Sequence, residues 1–374
     1  MNKTLIGSLI GLILLLIGCT ANQQIHSSDL IKIGFIGALT GDAADYGTTS
    51  RDALEIALSE INGAGGVNGR LIQILWQDGK CNGKEANSAA QKLIFEDKVK
   101  IIIYGSCSGE LLGSAPILEE NKVIGFATYP SSPDITKAGD YIFRNVYSDA
   151  DTGKATAQDM IKKYKTVSIL SELSDYCQAL KRVFVEEYIR LGGKVLTDED
   201  YEQNNRDFRT PLLKIIEAGP EIIFLNPQSS STGAALFKQL KELDNKIPLY
   251  TNFILSGQSA IDTAGSAAEG VVFVSDPEPN GKQKDELFAK YEQKYGKKPA
   301  YNYPVASTYD ALYILAQALR EIGYDADKLK EWLYKMPEYD GTLGKYHFDE
   351  NGDVVGIKPL VMIVKNGKAE RTEG

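Results

Sequence analysis

"ALEIALSEINGAGGVNGRLIQILWQD", Ala53 to Asp78, changes its hydrophobic period halfway along. Up to Asn62 the apolar residues Leu54, Ala57, Leu58 and Ile61 recur at helical spacing and fall on one face. Beyond the glycines, "LIQILWQD" is a short apolar run bounded by turn residues, which reads as a strand. "GAGGVNG" follows a helix rather than a strand, so it is not a dinucleotide-binding loop. The same alternation continues outward: "IKIGFIGAL", "VKIIIYG" and "KVIGFAT" supply further strands with helical stretches between them. This is the βα pattern of a parallel sheet.

The pattern then repeats once. After "FRNVYSDADTG" come the strand-like runs "KTVSILSE", "GGKVLTDE", "EIIFLNP", "IPLYTN" and "GVVFVSD". They alternate with helices carrying "CQALKRVFVEEYIRLG", "DFRTPLLKIIEAG" and "GAALFKQLKELD". "KDELFAKYEQKYG", "STYDALYILAQALREIG" and "DADKLKEWLYKM" read as helices, before a closing antiparallel stretch "GKYHFDENGDVVGIKPLVMIVKNGKAE". Two parallel sheets in one chain imply a cleft between them, and ligands of such sheets bind outside the carboxyl ends of the strands.

Composition agrees with two cores: the 374 residues are 43% hydrophobic and 24% charged. Lys and Arg total 41 against 50 Asp and Glu, and the net charge of -9 gives no footprint for nucleic acid, so none is expected as a partner.

At the N-terminus, Lys3 precedes a 14-residue apolar run, Leu5 to Gly18, that fits a secretory signal over residues 1–18 and is too short to span a bilayer. "LIGC" resembles a bacterial lipobox, which would make Cys19 the lipid-bearing first residue of an exported protein, periplasmic or on the outer cell surface; an uncleaved anchor is the alternative. The polar, patternless residues 19–29 read as a tether.

Export places the remaining Cys81, Cys107 and Cys177 in an oxidising environment, and they lack the spacing of a zinc site, so no metal is expected. Cys81 follows "RLIQILWQDGK" and Cys107 follows "KVKIIIYGS", both just beyond the carboxyl ends of strands that could be neighbours, which suits a disulfide. Cys177 reads as a small buried hydrophobe.

"GALTGDAADYG", "ALEIALSEINGAGGVNGRLIQILWQD" and "STYDALYILAQAL" together resemble, in order and spacing, the segments of branched-chain amino-acid-type periplasmic binding proteins, the leucine/isoleucine/valine-binding receptors of ABC transporters. The resemblance runs from about Ile31 to the last strands. It implies an α/β type I periplasmic-binding-protein fold, two Rossmann-like lobes with parallel sheets joined by three crossovers. Lobe one would comprise residues 30–148 and 277–340, and lobe two residues 149–276 and 341–370.

Within "YGSCSGE", Ser108 and Gly109 would open a helix whose free N–H groups and serine hydroxyl favour an anion such as a ligand carboxylate; alternatively Ser108 only caps that helix. The resemblance falls on Ser108. It also falls on the loop "ATYPSSPDIT", where Ser131 or Ser132 would hold the ligand's amino and carboxylate groups, and on Tyr46 and Tyr176, one from each lobe, as aromatic walls of the cleft.

Departures from the pattern matter as well. Relatives carry an acidic residue where "YTNFILSG" places Asn252 and Phe253, so the charge that would hold a ligand ammonium is missing there. Asp149 or Asp151 could supply a carboxylate, or else cap a helix. Asn226 and Gln228 in "LNPQSSS" suggest a polar pocket.

Catalysis finds no foothold: the histidines are His26, in the tether, and His347, which reads as a satisfied structural histidine in a closing strand between Tyr346 and Phe348, and no acid–base pair or triad can be assembled, so neither an enzyme nor a cofactor is expected. "DENGD", Asp349 to Asp353, is shorter than a calcium loop, and Asn-Gly between strands signals a hairpin. The expectation is a monomeric, lipid-anchored receptor that hinges shut on a small polar ligand, an amino acid or related carboxylate or amide, for ABC permease subunits. A sensor of the same fold is the alternative, and an exported hydrolase is the rival from another class.

Overall fold

The computed structural model describes residues 30–372; the signal segment, Cys19, His26 and the tether lie outside the described residues. The first sheet contains β1 (Leu30–Gly37), β2 (Leu71–Asp78), β3 (Ile101–Tyr104), β4 (Ile124–Ala127) and β5 (Ile142–Arg144), linked by α1 (Ala44–Gly63), α2 (Gly83–Phe95) and α3 (Ser108–Glu120). It is parallel throughout, in the order β2-β1-β3-β4-β5.

The second lobe repeats this plan. After α4 (Asp149–Met160) come β6 (Thr166–Glu172), α5 (Asp175–Arg190), β7 (Lys194–Tyr201), α6 (Arg209–Glu217), β8 (Ile222–Asn226), α7 (Ser230–Glu242), β9 (Leu249–Thr251), α8 (Gln258–Ala264) and β10 (Val272–Ser275). These strands are parallel in the order β7-β6-β8-β9-β10, the same winding as the first sheet.

The chain then returns through α9 (Lys284–Tyr295), α10 (Asn302–Ile322), α11 (Ala326–Tyr334), β11 (Tyr339–Asp340), β12 (Lys345–Phe348) and β13 (Val354–Val355). It ends in β14 (Leu360–Lys365) and β15 (Lys368–Arg371), a hairpin that adds antiparallel to β10. The fold is thus the expected two-lobed α/β architecture. In each sheet the winding reverses beside the first strand, which opens a crevice at the carboxyl ends of β1 and β3 in one lobe and of β6 and β8 in the other.

Two glycines show why the opening motifs read as they do. A Cβ on Gly47 in α1 would lie 2.1 Å from the Ala38 carbonyl oxygen, so the helix docks on the end of β1 only with glycine there. Gly66 in the turn before β2 has φ +76, and a Cβ there would meet the Arg70 oxygen at 2.2 Å. Helix α1 itself buries Leu54, Ala57 and Ile61, as its period indicates, and also Ala53 and Ile56, because it lies between the sheet and α10. Each fully buried Leu or Ile stabilises the fold by roughly 1.5–3 kcal/mol.

Three expectations need correction. The whole stretch 341–370 was expected in lobe two, but only β14 and β15 join that sheet. Residues of β12 and the following hairpin pack on lobe one: Phe348 meets Phe126 and Phe143 with centroids 5.8 and 5.7 Å apart, and Tyr346 donates to Asp310. The pattern could not separate two antiparallel hairpins that belong to different sheets. His347, expected to be a satisfied structural histidine, is exposed between the buried Tyr346 and Phe348. Further, β2 and β3 are not neighbours, since β1 runs between them. Cys81 and Cys107 are nevertheless bonded, with Cα atoms 5.2 Å apart across the end of β1.

Candidate functional site

The turn "YGSCSGE" is built around one carboxylate. Glu110, fully buried, accepts from the Ser106 hydroxyl, from Cys107 N at 3.0 Å and from Cys81 N at 3.0 Å. Ser106 Oγ in turn accepts from Ala38 N at 2.7 Å. One side chain thereby ties the ends of β1, β2 and β3 together beside the disulfide. Burial pushes its carboxyl up to about 7, against the three donated hydrogen bonds.

Between the lobes lies a nearly closed cavity lined by Tyr46, Ser106, Ser108, Tyr129, Ser131, Val146, Tyr147, Tyr176, Gln228, Phe253 and Asp276. It has room for little more than one water molecule, about 10 Å³ for its centre. Five of its eleven lining residues are aromatic. Phe253 from lobe two meets Tyr46 and Tyr129 of lobe one at 5.7 and 5.6 Å and Tyr176 of its own lobe at 5.5 Å. Such tilted and edge-on pairs each add roughly 0.5–1.5 kcal/mol beyond area burial.

Among the described residues, the single charged one on the lining is Asp276, at the second crossover. It accepts from Tyr129 OH at 3.0 Å and Tyr147 OH at 2.6 Å. Burial, aided by the charge of Glu278, pushes its carboxyl up to about 6 in spite of those phenols. Next to the cavity, burial drives Asp149 up to about 7, and its Oδ2 has no hydrogen-bond partner among the described residues. Tyr176 OH is likewise without a partner among the described residues, with the residue 2% exposed.

The residues singled out from sequence separate into two groups. Tyr46, Ser108, Ser131, Tyr176 and Gln228 line the cavity. Ser108 Oγ accepts from the backbone N–H groups of Ser131 and Ser132 at 3.2 and 3.1 Å, so its role is to dock that loop, with its own proton left to donate. Helix α3 is capped at Cys107, not Ser108. Of the two loop serines, Ser131 faces the cavity and Ser132 caps the following short helical turn.

Gly109, Asn252 and Asp149 are not lining residues. A Cβ on Gly109 would lie 2.5 Å from Asp175 Oδ2, so this end of α3 faces a lobe-two carboxylate, poor surroundings for an anion. Asn252 spends its amide on Asn226 Oδ1 and the Pro227 carbonyl, both at 2.8 Å, and its oxygen caps the turn that presents Phe253. The cap of α4 is Ser148, which leaves Asp149 free of that task, and Asp151 is exposed. Cys177 is buried and unbonded, as expected of a small hydrophobe.

Sequence reasoning missed Tyr129, Tyr147 and Asp276 as site residues. Asp276 had a usable signal: it ends "VVFVSD" just beyond the carboxyl end of a strand, where ligand groups gather. The loop carrying Ser131 is held from behind by Arg144, whose guanidinium donates to the Ser131 and Ser132 carbonyls at 3.2 and 2.8 Å and pairs with Asp353 at 2.6 Å. The "DENGD" segment is therefore a hairpin with a structural carboxylate, as its Asn-Gly turn implies.

An unpaired buried hydroxyl costs about 1–3 kcal/mol. Tyr176→Phe should therefore raise the melting temperature of the free protein while weakening the binding of any molecule that enters the cavity at least several-fold. Thermal unfolding and titration calorimetry on the same samples check both signs, and a stabilised variant with unchanged affinity would remove Tyr176 OH from the site.

At the cavity mouth a groove of about 350 Å³ runs between the lobes, bounded by Thr40, Asp42 and Asn82 on one side and Glu172, Gln203 and Thr232 on the other. Gln228 borders both spaces. Two exposed ion pairs bridge the lobes, Arg206 to Asp42 and Arg182 to Asp134. Tyr46 OH also reaches Ser230 Oγ across the gap at 3.3 Å.

Comparison with known proteins gives a consistent result. The family model described as "Periplasmic binding protein" matches residues 30–368. A leucine-, isoleucine-, valine-, threonine- and alanine-binding protein of Pseudomonas aeruginosa is 26% identical over 338 residues, 88% of each chain. A Leu/Ile/Val-binding protein of Escherichia coli is 25% identical over 354 residues, 92% of this chain and 94% of that one. The crystal structure of a leucine-binding protein from Thermotoga maritima superposes with a TM-score of 0.83 at 27% identity, covering 91% of this chain and 97% of the other.

Proposed function

Because the chain belongs to the periplasmic binding protein family, we propose that it is an extracytoplasmic solute receptor that closes its two lobes on a small polar molecule, an amino acid or a related compound, and presents it to an ABC permease. The observation that carries this reading is the enclosed cavity, whose walls come from both lobes and from the crossovers that join them. A ligand touching both lobes binds the closed form better than the open one and shifts the population toward it by that difference alone. Lipid attachment at Cys19, outside the described residues, would hold the receptor at the membrane as a monomer.

Thermal unfolding in the presence of single amino acids, amides, amines and small carboxylates tests the reading. A solute at a hundred times its dissociation constant should stabilise the protein by about 2.7 kcal/mol. No stabilisation by any member of the panel would contradict it.

The two ion pairs across the cleft favour the closed state. Exposed pairs of this kind contribute about 0.2–1 kcal/mol each. The double variant Arg182→Ala/Arg206→Ala should therefore bind the same solute about two- to thirty-fold more weakly, and salt should shrink the difference. Equal affinity at low salt would show that the pairs do not hold the lobes together.

A further inference from the structure

Resting on the receptor reading above, we propose that the cavity recognises its solute through a positively charged ammonium group, with Asp276 as the counter-ion inside a box of Tyr129, Tyr147, Tyr176 and Phe253. The carboxylate that pairs with the ammonium therefore sits at the hinge crossover and not at the strand end of lobe two, where Asn252 is committed to Asn226 and Pro227.

Three observations converge on this assignment. The first is charge: among the described residues the lining contains one carboxylate and no Lys or Arg, and the buried guanidinium of Arg144 is already paired with Asp353. A buried carboxylate without a cation is costly, and a cationic solute supplies the missing charge. The second is the aromatic wall, since ammonium groups are attracted to the faces of tyrosine and phenylalanine, more strongly where water is excluded. The third is unspent hydrogen-bonding capacity: Tyr176 OH, on the lining, and Asp149 Oδ2 beside it have no partners among the described residues, at 2% and 1% residue exposure. A carboxylate on the solute, by contrast, meets no cation in the cavity, and the nearby end of α3 faces Asp175.

The test uses two isosteric trios: L-alanine, ethylamine and propionate, and L-leucine, 3-methylbutylamine and 4-methylpentanoate. Titration calorimetry at pH 7.5 should show binding by amine-bearing members, no detectable binding by the matching acids, and at least tenfold weaker binding by Asp276→Asn. Thermal unfolding of that variant establishes that it is folded; asparagine can still accept from the tyrosines. If the variant does not fold, the pH profile of the unaltered protein decides.

The amines keep their charge from pH 8 to 5, whereas Asp276, pushed up to about 6, takes up a proton. Affinity should fall about tenfold between pH 7 and 5. Facing Asp276 are Tyr129 and Tyr147, Tyr176, Tyr301 and Tyr303, all neutral in this range because burial raises them, together with Glu278 from its own segment. Asp149 also faces it and titrates upward of its usual value, adding to the same trend. Acids that bind as well as their matched amines, a folded Asp276→Asn with full affinity, or a flat pH profile would overturn the inference and leave the receptor reading standing. Silence from all six probes also overturns it, while the broader solute screen separately decides whether the protein is a receptor.

Discussion

Asp353→Ala is expected to destabilise the protein by about 3–5 kcal/mol, because it leaves a fully buried guanidinium without its counter-charge. Arg144 is 0% exposed and donates to both Asp353 oxygens at 2.6 and 2.7 Å. Its other contacts are Thr136 Oγ1 and the Ser131 and Ser132 carbonyls. Losing Asp353 should therefore reach the site as well as the fold, because the serine loop is positioned through the same guanidinium. The double replacement Arg144→Met/Asp353→Leu should cost less than the single one, since it removes the stranded charge together with its partner. Urea unfolding at constant m-value measures both. A loss below about 1 kcal/mol for Asp353→Ala would mean that Arg144 finds water or another acceptor.

Removing the Cys81–Cys107 bridge, as Cys81→Ser/Cys107→Ser, should cost about 3–4 kcal/mol for a separation of 26 residues, on the chain-entropy account. Glu110 would still accept from both backbone N–H groups in the variant, so the native turn should persist and most of the loss should arise in the unfolded chain. The expected signature is a lower urea midpoint with solute affinity nearly unchanged in the folded protein. A collapse of affinity with little loss of stability would instead make the bridge a brace of the site.

Much of the architecture was legible because it depends on period and order. The switch from helical to strand spacing across Ala53–Asp78 and its recurrence after Asp149 predict two parallel sheets, and both sheets have the same winding. Short elements were not legible: β5 is three residues long and ends in Arg144, a charge buried only by virtue of Asp353, which is more than 200 positions away in the chain. The closing hairpins have the same alternation whichever sheet they join, so assigning residues 345–355 to lobe one needed contacts such as Phe348 with Phe143.

The site shows the same division. Tyr46, Ser108 and Tyr176 stand in the first turns of helices and Ser131 and Gln228 in loops beyond strands, all in recognisable segments, and all five do line the cavity. Tyr129, Tyr147 and Asp276 come from separate loops and crossovers, and only the closed fold brings the two phenols onto one carboxylate. Asn252 shows the converse case: it stands where the resemblance places an acidic ligand group, itself a departure, and its side chain is consumed by neighbours in its own lobe.

A crystal structure grown with the tightest-binding solute of the thermal screen tests the account most directly. It should place the solute between the lobes, with its ammonium group within hydrogen-bonding distance of Asp276 and Tyr176 OH and against the ring of Phe253. A solute lodged outside the gap between the lobes, or one that turns its carboxylate toward Asp276, would contradict the account.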